Sequence, residues 1–372
     1  MSMKLPVRVG AIGCGAALEQ LYLHPLRRLE KLGWIEVVGL AEPNPARQAW
    51  AKSSFPRARV GATVAEAFSG SGVQLTVISS PPPMHAEHAA AAFQCGSHVL
   101  CEKPLAGMSR AGARMMEQAR AVAQLLSVGM TRRYYPCLGE ARRWLAEGRL
   151  GKLKGYSYRE GGVYAWPVTS SAPFRRETSG GGVLLDKGVH ILDLLTWLFG
   201  AAELLESADD ALVGGVEGNA FLRLQHGDCR GTMQVSWDQD LTNTFIIQGD
   251  RGELMMPIGP LVDLFERKPG QPWQRVAVRV TFPRDLSQPA QKAGAPGTYY
   301  ECFEYQLIQM LRAIVLGEAV PVTGEEGLAV LELIEAAYER ARPLVQPWLS
   351  AAEQSAVKQH HWNASRTPVP TA

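Results

Sequence analysis

Short apolar runs alternate with helix-like segments through the first 130 residues, and this alternation constrains the fold more than any other feature. Strands and helices that follow each other at this spacing imply parallel strands joined by crossover helices. The sequence therefore predicts a doubly wound α/β domain over residues 1–130. Its predicted strands are Val7–Ile12, Ile35–Leu40, Val73–Ser79, His98–Cys101 and Leu125–Met130.

After residue 130 the pattern changes to strands that follow one another directly. Turn signals such as His226-Gly227-Asp228 separate the runs, and consecutive strands joined by short turns pair in an antiparallel manner. We expect an α+β domain over residues 131–345 and an extended, polar tail over residues 346–372. The predicted strands are Lys152–Tyr158, Asn219–Gln225, Cys229–Trp237, Thr244–Gln248, Glu253–Met256, Leu261–Glu266 and Arg275–Thr281.

Composition excludes several classes of protein. The 372 residues are 46% hydrophobic and 20% charged, with a formal net charge of +2, which is typical of a globular chain that binds neither nucleic acid nor a membrane surface. No apolar run reaches the roughly 18 residues that cross a bilayer, and no cleavable leader is recognisable, so we expect a cytoplasmic protein. The 6 cysteines form no CxxC pair, so we expect reduced thiols and no metal site.

A glycine loop closes the first predicted strand. Gly13 and Gly15 allow a tight turn and a close approach to a pyrophosphate, whose charge the following helix N-terminus, at Ala16 and Ala17, stabilises. Leu18 occupies the position of the third glycine in the GxGxxG pattern. A glycine pair by itself is equally consistent with an ordinary strand-to-helix turn.

An acidic residue ends the second predicted strand. Glu42 is placed to accept hydrogen bonds from the adenosine ribose of a dinucleotide, and its charge would repel a 2′-phosphate. This favours NAD as the cofactor, while the nearby Arg47 leaves NADP open. The alternative is a solvated loop carboxylate.

Two further loops follow predicted parallel strands, at the edge where such folds bind ligands. In the first loop, Ser80, Pro81 and His85 are predicted cofactor contacts. In the second, Glu102 and Lys103 are predicted to lie at the cofactor as well. A partly desolvated Lys103 would bind a hydroxyl or carbonyl oxygen and pass protons, although a surface lysine before a turn proline fits the pattern equally well.

A mostly apolar helix, ending at Gly200, carries polar residues on one stripe. Asp186, His190, Asp193 and Trp197 recur at helical spacing after a glycine-rich approach. Because unpaired buried charge is unfavourable, these groups either form a structural network or point into a polar cavity. The sequence favours the cavity, with Asp193 the member most easily explained by structure alone.

Together these segments resemble the Gfo/Idh/MocA family of oxidoreductases, over nearly the whole chain. The resemblance rests on the Gly13-Cys14-Gly15 loop, the turn over residues 81–85, Glu102-Lys103-Pro104, the Asp186–His190 segment and residues 323–327. It implies a Rossmann domain followed by a domain with a large, mostly antiparallel open sheet, which is used for dimer or tetramer contacts. It also implies that Lys103, Asp186 and His190 line the site, and that the Lys103–Pro104 bond is cis.

The activity implied is NAD(P)-dependent oxidation or reduction at a secondary alcohol or ketone of a sugar, cyclitol or sugar derivative. His190 would be the general base, Lys103 would bind the reacting oxygen, and Asp186 would orient the substrate or His190. Tyr158, Tyr164 and Trp166 are predicted to face the sugar, with ordinary packing as the alternative. Two other functions stay open: reduction of an imine or unsaturated substrate, and a catalytically silent NAD(P)-binding regulator.

Overall fold

The computed structural model describes residues 5–168, 171–345 and 349–362. The chain divides into two compact units. The first combines the described residues up to Pro136 with Arg279–Leu331, and the second combines Cys137–Val278 with the described residues from Glu332 onward. The helices are α1 (Leu23–Lys31), α2 (Pro45–Ser54), α3 (Val64–Phe68), α4 (His85–Gln94), α5 (Ser109–Ala121), α6 (Pro136–Ala146), α7 (Arg176–Ser179), α8 (Val189–Phe199), α9 (Tyr299–Leu316), α10 (Gly324–Arg340) and α11 (Ala351–His360).

Two large sheets and one small ribbon contain the strands. The strands are β1 (Val7–Ile12), β2 (Ile35–Ala41), β3 (Arg59–Gly61), β4 (Leu75–Ile78), β5 (His98–Cys101), β6 (Leu126–Val128), β7 (Leu153–Glu160), β8 (Glu203–Asp209), β9 (Asn219–His226), β10 (Cys229–Ser236), β11 (Thr244–Gly249), β12 (Glu253–Pro257), β13 (Phe265–Arg267), β14 (Gln274–Arg275), β15 (Phe282–Pro283), β16 (Ala293–Gly294) and β17 (Arg342–Pro343).

The sheet of the first unit has six parallel strands in the order β3-β2-β1-β4-β5-β6. This is the strand order of a Rossmann fold, and it confirms the predicted doubly wound domain. The strand order reverses between β1 and β4, so the loops that follow these two strands lie side by side at the carboxyl edge. A ligand crevice is expected at this position.

Helix α9 belongs to the first unit, although the sequence placed residues 131–345 in one continuous second domain. Its side chains Phe303, Leu307 and Leu311 join the apolar core built by β1 and α1. The Phe303 ring also makes an edge contact with Tyr22 at 5.3 Å. The two compact units thus differ from the predicted continuous ranges, because a distant segment returns to cover a sheet face, and chain position does not reveal which sheet a helix covers.

The sheet of the second unit has nine strands in the order β14-β13-β12-β11-β7-β10-β9-β8-β17. Only the β7–β10 and β8–β17 pairs are parallel, which confirms the mostly antiparallel sheet. Helix α8 packs on one face, where Phe199 stacks on Tyr156 with ring centroids 4.8 Å apart. The predicted strands near residues 261–266 and 275–281 shrink to the short β13 and β14, and β8 was not predicted.

The segment after residue 345 was predicted to be extended. It is not extended throughout, because α11 forms there. Ser350 and Glu353 form a capping box at its start, a signal that the prediction did not use. After the helix, His361 Nε2 lies 2.8 Å from Asp209 Oδ1, and Trp362 Nε1 donates to Asp209 Oδ2 at 3.3 Å. Over residues 349–362 the tail is therefore a helix followed by residues that are hydrogen-bonded to Asp209 of β8.

No helix in the described part of the chain is both long and apolar enough to cross a membrane. All six cysteines are present as free thiols.

Candidate active site

The glycine loop after β1 lies against the loop after β4. Gly13 has a φ of +87°, and a Cβ at this position would lie 2.7 Å from the Ser80 backbone nitrogen. Ser79 Oγ donates to the Gly13 carbonyl at 2.8 Å. A Cβ at Gly15 would meet no atom within 4 Å, so the loop is open on that side. Gly13 makes the turn and Gly15 leaves room, which is the arrangement that a pyrophosphate requires.

The helix after the loop opens at Ala16 and Ala17 and then widens into a π turn over Leu18–Tyr22. Leu18, which replaces the third glycine, is fully buried in the core. The third glycine normally allows the helix to approach the strand closely. The wider turn begins at Leu18, the residue that stands at the third glycine position.

The Glu42 carboxylate closes the inner side of the glycine loop. Its Oε2 accepts a hydrogen bond from the Cys14 amide at 2.7 Å, and its Oε1 accepts one from the Asn44 amide at 2.9 Å. Arg47, on α2, contacts the same loop, because its Nε donates a hydrogen bond to the Cys14 carbonyl at 2.7 Å. The guanidinium also lies 4.3 Å from the centroid of the Trp50 ring. Both a carboxylate and a cation therefore flank the predicted ribose position.

His85, a predicted cofactor contact, has a different role. Its side chain is fully buried, and its two ring nitrogens lie 2.9 Å from the Pro104 and Ser80 carbonyl oxygens. Burial lowers the pKa of His85. The ring ties the loop after β4 to the loop after β5 and has no surface left for a ligand. Ser80 Oγ is hydrogen-bonded to His88 Nδ1 at 2.8 Å, and Pro81 precedes the turn that begins α4.

Glu102, whose cofactor contact stays a prediction, is likewise hydrogen-bonded within the protein. Its carboxylate accepts a hydrogen bond from Tyr22 Oη, and Gln306 donates to the same hydroxyl at 3.0 Å. Burial raises the pKa of Glu102. Lys103, the next residue, is only partly buried, and the Lys103–Pro104 bond is cis, as the resemblance implied. Glu102 therefore anchors the loop from which Lys103 projects.

In the second unit, Asp186 and His190 lie at the start of a helix with an unexpected geometry. Residues Leu184–Gly188 form a π turn, which continues as α8 up to Phe199 with Gly200 at its C-terminus. The wide turn breaks the uniform helical stripe that the sequence predicted. Asp186 is partly exposed, whereas His190 and Asp193 are buried. π turns inside helices occur frequently at functional sites.

The three predicted sugar-facing aromatics separate. Tyr158 is a core residue, since its ring lies 5.0 Å from Phe245 and its hydroxyl donates to Glu160 at 3.1 Å. These contacts are those of the packing alternative, and the substrate contact of Tyr158 stays a prediction. Tyr164 is partly exposed, and burial together with the nearby negative charge of Asp186 raises its pKa. Trp166 is exposed.

Tyr164 belongs to an aromatic cluster that the sequence did not reveal. Its ring makes edge contacts with Trp237 at 4.8 Å and with Phe174 at 5.3 Å. The Tyr164 amide also donates to the Trp237 carbonyl at 2.8 Å. The three residues come from distant segments, so only the fold brings them together beside Asp186. Among the described residues, no group of histidine, cysteine and carboxylate side chains has the geometry of a metal site.

The parallel sheet, the open glycine loop and the carboxylate at its side define a dinucleotide-binding oxidoreductase fold. Residues 7–130 match the family model described as "Oxidoreductase family, NAD-binding Rossmann fold", and residues 138–255 match the "GFO/IDH/MocA C-terminal domain". The chain belongs to the Gfo/Idh/MocA family of oxidoreductases.

Several named oxidoreductases are similar to this chain. The scyllo-inositol 2-dehydrogenase (NADP(+)) IolW of Bacillus subtilis is 24% identical, over 90% of this chain and 94% of its own length. A putative UDP-kanosamine synthase oxidoreductase subunit of Amycolatopsis mediterranei is 30% identical, over 63% of this chain and 60% of its own length. A levoglucosan dehydrogenase solved with NADH and levoglucosan has a TM-score of 0.76 at 19% identity, covering 94% of this chain and 98% of that one.

Proposed function

We propose that this protein transfers hydride between a nicotinamide cofactor and a secondary alcohol or ketone of a sugar, cyclitol or sugar derivative. The observation that carries the proposal is the partly exposed Asp186, at a π turn beside an aromatic cluster, in a chain whose glycine loop leaves open space at Gly15. The names of the relatives add support, since they include an inositol and a levoglucosan dehydrogenase.

The nicotinamide, when bound, supplies the hydride chemistry at its C4 position. Gly13, Gly15, Ala16 and Ala17 would contact the pyrophosphate. In the oxidative direction the His190 imidazole takes the proton from the substrate hydroxyl as general base. The Lys103 ammonium donates a hydrogen bond to the reacting oxygen and stabilises its negative charge. Asp186 accepts a hydrogen bond from a neighbouring substrate hydroxyl and so fixes the orientation of the ring.

The aromatic cluster of Tyr164, Phe174 and Trp237 supports a ring-shaped, hydroxylated substrate. A sugar or cyclitol has an apolar face of C–H groups and a rim of hydroxyls, and aromatic rings bury the first while carboxylates bind the second. Tyr164 and Asp186 present both kinds of group next to each other. Trp166, which is exposed, remains a predicted contact.

NAD is the preferred cofactor in this proposal. The Glu42 carboxylate is buried against the glycine loop and would repel a 2′-phosphate. We expect Glu42→Gln to weaken NADH binding and improve NADPH binding, with the ratio of the two dissociation constants shifting by roughly tenfold. Nicotinamide fluorescence measures both constants. An unchanged ratio would assign the discrimination to Arg47 instead.

The decisive experiment is a turnover assay with NAD and NADP on inositols, anhydrosugars and glucosides, followed by nicotinamide absorbance. We expect oxidation of at least one polyol, and a loss of roughly a hundredfold or more in kcat for His190→Ala and Lys103→Ala. His24→Ala, at an exposed position on α1, is the control for each loss. Full turnover by both alanine variants would refute the assigned roles.

The alternative functions make different predictions. A reductase of imines or unsaturated substrates would turn over a cyclic imine and no polyol. A silent regulator would bind NADH tightly without oxidising it in the presence of any carbonyl compound. Neither alternative has support among the relatives described above, whose names are those of sugar and cyclitol oxidoreductases.

We further propose that the protein is a homodimer or homotetramer assembled through the second sheet. One face of that sheet is covered by α8, whereas Phe221, Ile246 and Met255 alternate with buried residues and lie half-exposed on the other. Apolar side chains on an uncovered sheet face are typical of an interface. The cytoplasmic location stays a prediction from the sequence.

A further inference from the structure

A fully buried carboxylate receives the first amides of the helix that carries Asp186 and His190. Glu217 Oε1 accepts hydrogen bonds from the backbone amides of Gly182 at 2.9 Å and Leu184 at 3.0 Å. The Glu217 backbone carbonyl accepts one from the Val183 amide at 3.0 Å. Three successive amides that a helix start leaves without intrahelical partners are thus all bonded to one residue from a distant segment.

The two glycines before this helix are needed for the contact. A Cβ at Gly182 would lie 2.1 Å from the Glu217 carbonyl oxygen, and a Cβ at Gly181 would lie 2.0 Å from Tyr338 Oη. Tyr338 Oη also donates to Glu217 Oε1 at 2.8 Å. The glycine-rich approach to the helix therefore leaves the space that Glu217 and Tyr338 occupy.

The carboxylate is maintained against an electrostatic penalty. The pKa of Glu217 is raised to about 7, because burial and the negative charge of Asp209 raise it more than the hydrogen bonds to the carboxylate lower it. Among the described residues, no donor bonds to its Oε2. A cation lies against Tyr338, since the Arg176 guanidinium is 4.7 Å from the centroid of the Tyr338 ring. A neutral helix cap such as serine or asparagine would avoid this penalty.

We propose that Glu217 is a positioning residue of the active site, which fixes the start of the π turn and thereby the placement of Asp186 and His190. This inference rests on the proposed function, because it assigns Glu217 a role in the same reaction. The first helical hydrogen bond runs from the Asp186 amide to the Gly182 carbonyl at 2.9 Å. A shift of Gly182 therefore moves Asp186 directly. Tyr338 orients the Glu217 carboxylate.

The test compares Glu217→Gln with Glu140→Gln in the full-length protein. Glu140 is an equally buried carboxylate on α6. It accepts a hydrogen bond from Trp144 Nε1 at 3.1 Å and is remote in sequence from the anchored amides of residues 182–184. For Glu217→Gln we expect kcat on the best polyol to fall roughly tenfold or more, because misplacing a reacting group by an ångström costs about a hundredfold. We expect the NADH dissociation constant to stay within about twofold, since the cofactor loop is in the first unit. Glu140→Gln should leave kcat unchanged.

Tyr338→Phe is the milder second variant. It removes one hydrogen bond from Glu217 and keeps the three contacts with backbone amides, so kcat should fall less than in Glu217→Gln. A Glu217→Gln protein with lowered stability but wild-type kcat would overturn the positioning role. So would equal losses of kcat in Glu217→Gln and Glu140→Gln. Should Glu217→Gln fail to fold, an unchanged kcat in Tyr338→Phe overturns the proposal by itself.

Amide hydrogen exchange provides a readout that does not depend on turnover. We expect faster exchange at Gly182, Val183 and Leu184 in Glu217→Gln than in the wild type, and no change there in Glu140→Gln. Unchanged exchange at these amides would contradict the anchoring directly. If no polyol is turned over by the wild-type protein, the proposed function fails, and the exchange result still decides whether Glu217 anchors the helix.

Discussion

At the scale of single residues, burial and partners separate groups that look alike in the sequence. Lys103, in the loop after β5, and Asp186, in the π turn, are both partly exposed, as expected for groups that contact a substrate. His85, Glu102 and Tyr158 were predicted in the same way, yet each is buried with its polar atoms bonded within the protein. The residue type indicates what a side chain can bind, whereas its surroundings decide whether that capacity is already used.

A comparison of Gly13 with Gly33 separates the effect of a close neighbour at the Cβ position from the effect of a positive φ. Both have positive φ, but a Cβ at Gly33 would meet no atom within 4 Å, whereas one at Gly13 would contact the Ser80 backbone. We expect Gly33→Ala to lower the free energy of unfolding by roughly 1–2 kcal/mol and to leave NADH binding intact. Gly13→Ala should lose more stability and also abolish NADH binding. Calorimetry and nicotinamide fluorescence measure the two effects, and normal NADH affinity in Gly13→Ala would contradict the loop assignment.

Glu217 predicts a pH dependence of stability. Its pKa in the folded protein is about 7, above its ordinary value of 4.5, so between these values the folded state binds more protons than the unfolded state. The stability associated with the protonated group is fully present below pH 4.5 and is lost as the pH rises through about 7.

The wild-type protein should therefore lose roughly 3 kcal/mol relative to Glu217→Gln between pH 4.5 and about pH 8. Melting curves of both proteins across this range, with Glu140→Gln as the control for a buried carboxylate, provide the measurement. Parallel stability curves for the wild type and Glu217→Gln would show that the pKa of Glu217 is not raised.

At the scale of elements, both helices that carry a predicted ligand site begin with a π turn. The first, Leu18–Tyr22, follows the glycine loop and includes the leucine that replaces the third glycine. The second, Leu184–Gly188, includes Asp186. An extra residue in a turn rotates the side chains before it relative to those after it. The π turns therefore decide which polar groups face the site. Hydrophobic periodicity predicts that a helix forms and does not reveal a change of its pitch.

The packing of helix α9 leads to a prediction of how much this distant segment stabilises the first unit. Phe303 is buried against Tyr22, whereas Tyr300 on the same helix is exposed. We expect Phe303→Ala to destabilise the first unit by about 3–5 kcal/mol and Tyr300→Ala to change stability by less than about 0.5 kcal/mol. NADH added in excess should restore part of the loss in Phe303→Ala, because it binds the folded unit only. Similar melting curves for the two variants would place α9 outside the core.

At the scale of the whole molecule, the chain forms two units whose division does not follow chain order. Residues 279–331 complete the first unit after the chain has built most of the second. Both family models match continuous stretches that end before this return, at residues 130 and 255. A truncation at residue 130 would therefore remove α9 and leave the parallel sheet with an uncovered apolar face.

The open face of the second sheet predicts the assembly state. Ile246 and Gln248 lie on the same strand and the same face, the first apolar and half-exposed and the second exposed. If this face joins subunits, Ile246→Asp should dissociate the oligomer, since a buried unpaired charge costs several kcal/mol. Gln248→Asp serves as the charge control and should have a smaller effect. Light scattering reports the mass, and a monomeric wild type would refute the proposed interface.

The sequence by itself determined the class of fold, because the period of its apolar residues and the positions of its glycines are local properties. The parallel strands of the first sheet, the loop at Gly13 and the helix that ends at Gly200 all follow from patterns a few residues long. Tertiary structure alone decided that α9 completes the first unit, that Tyr164, Phe174 and Trp237 form one cluster, and that Glu217 anchors the helix of Asp186. These features join residues far apart in the chain, and their formation depends on burial and hydrogen bonding that no local pattern encodes.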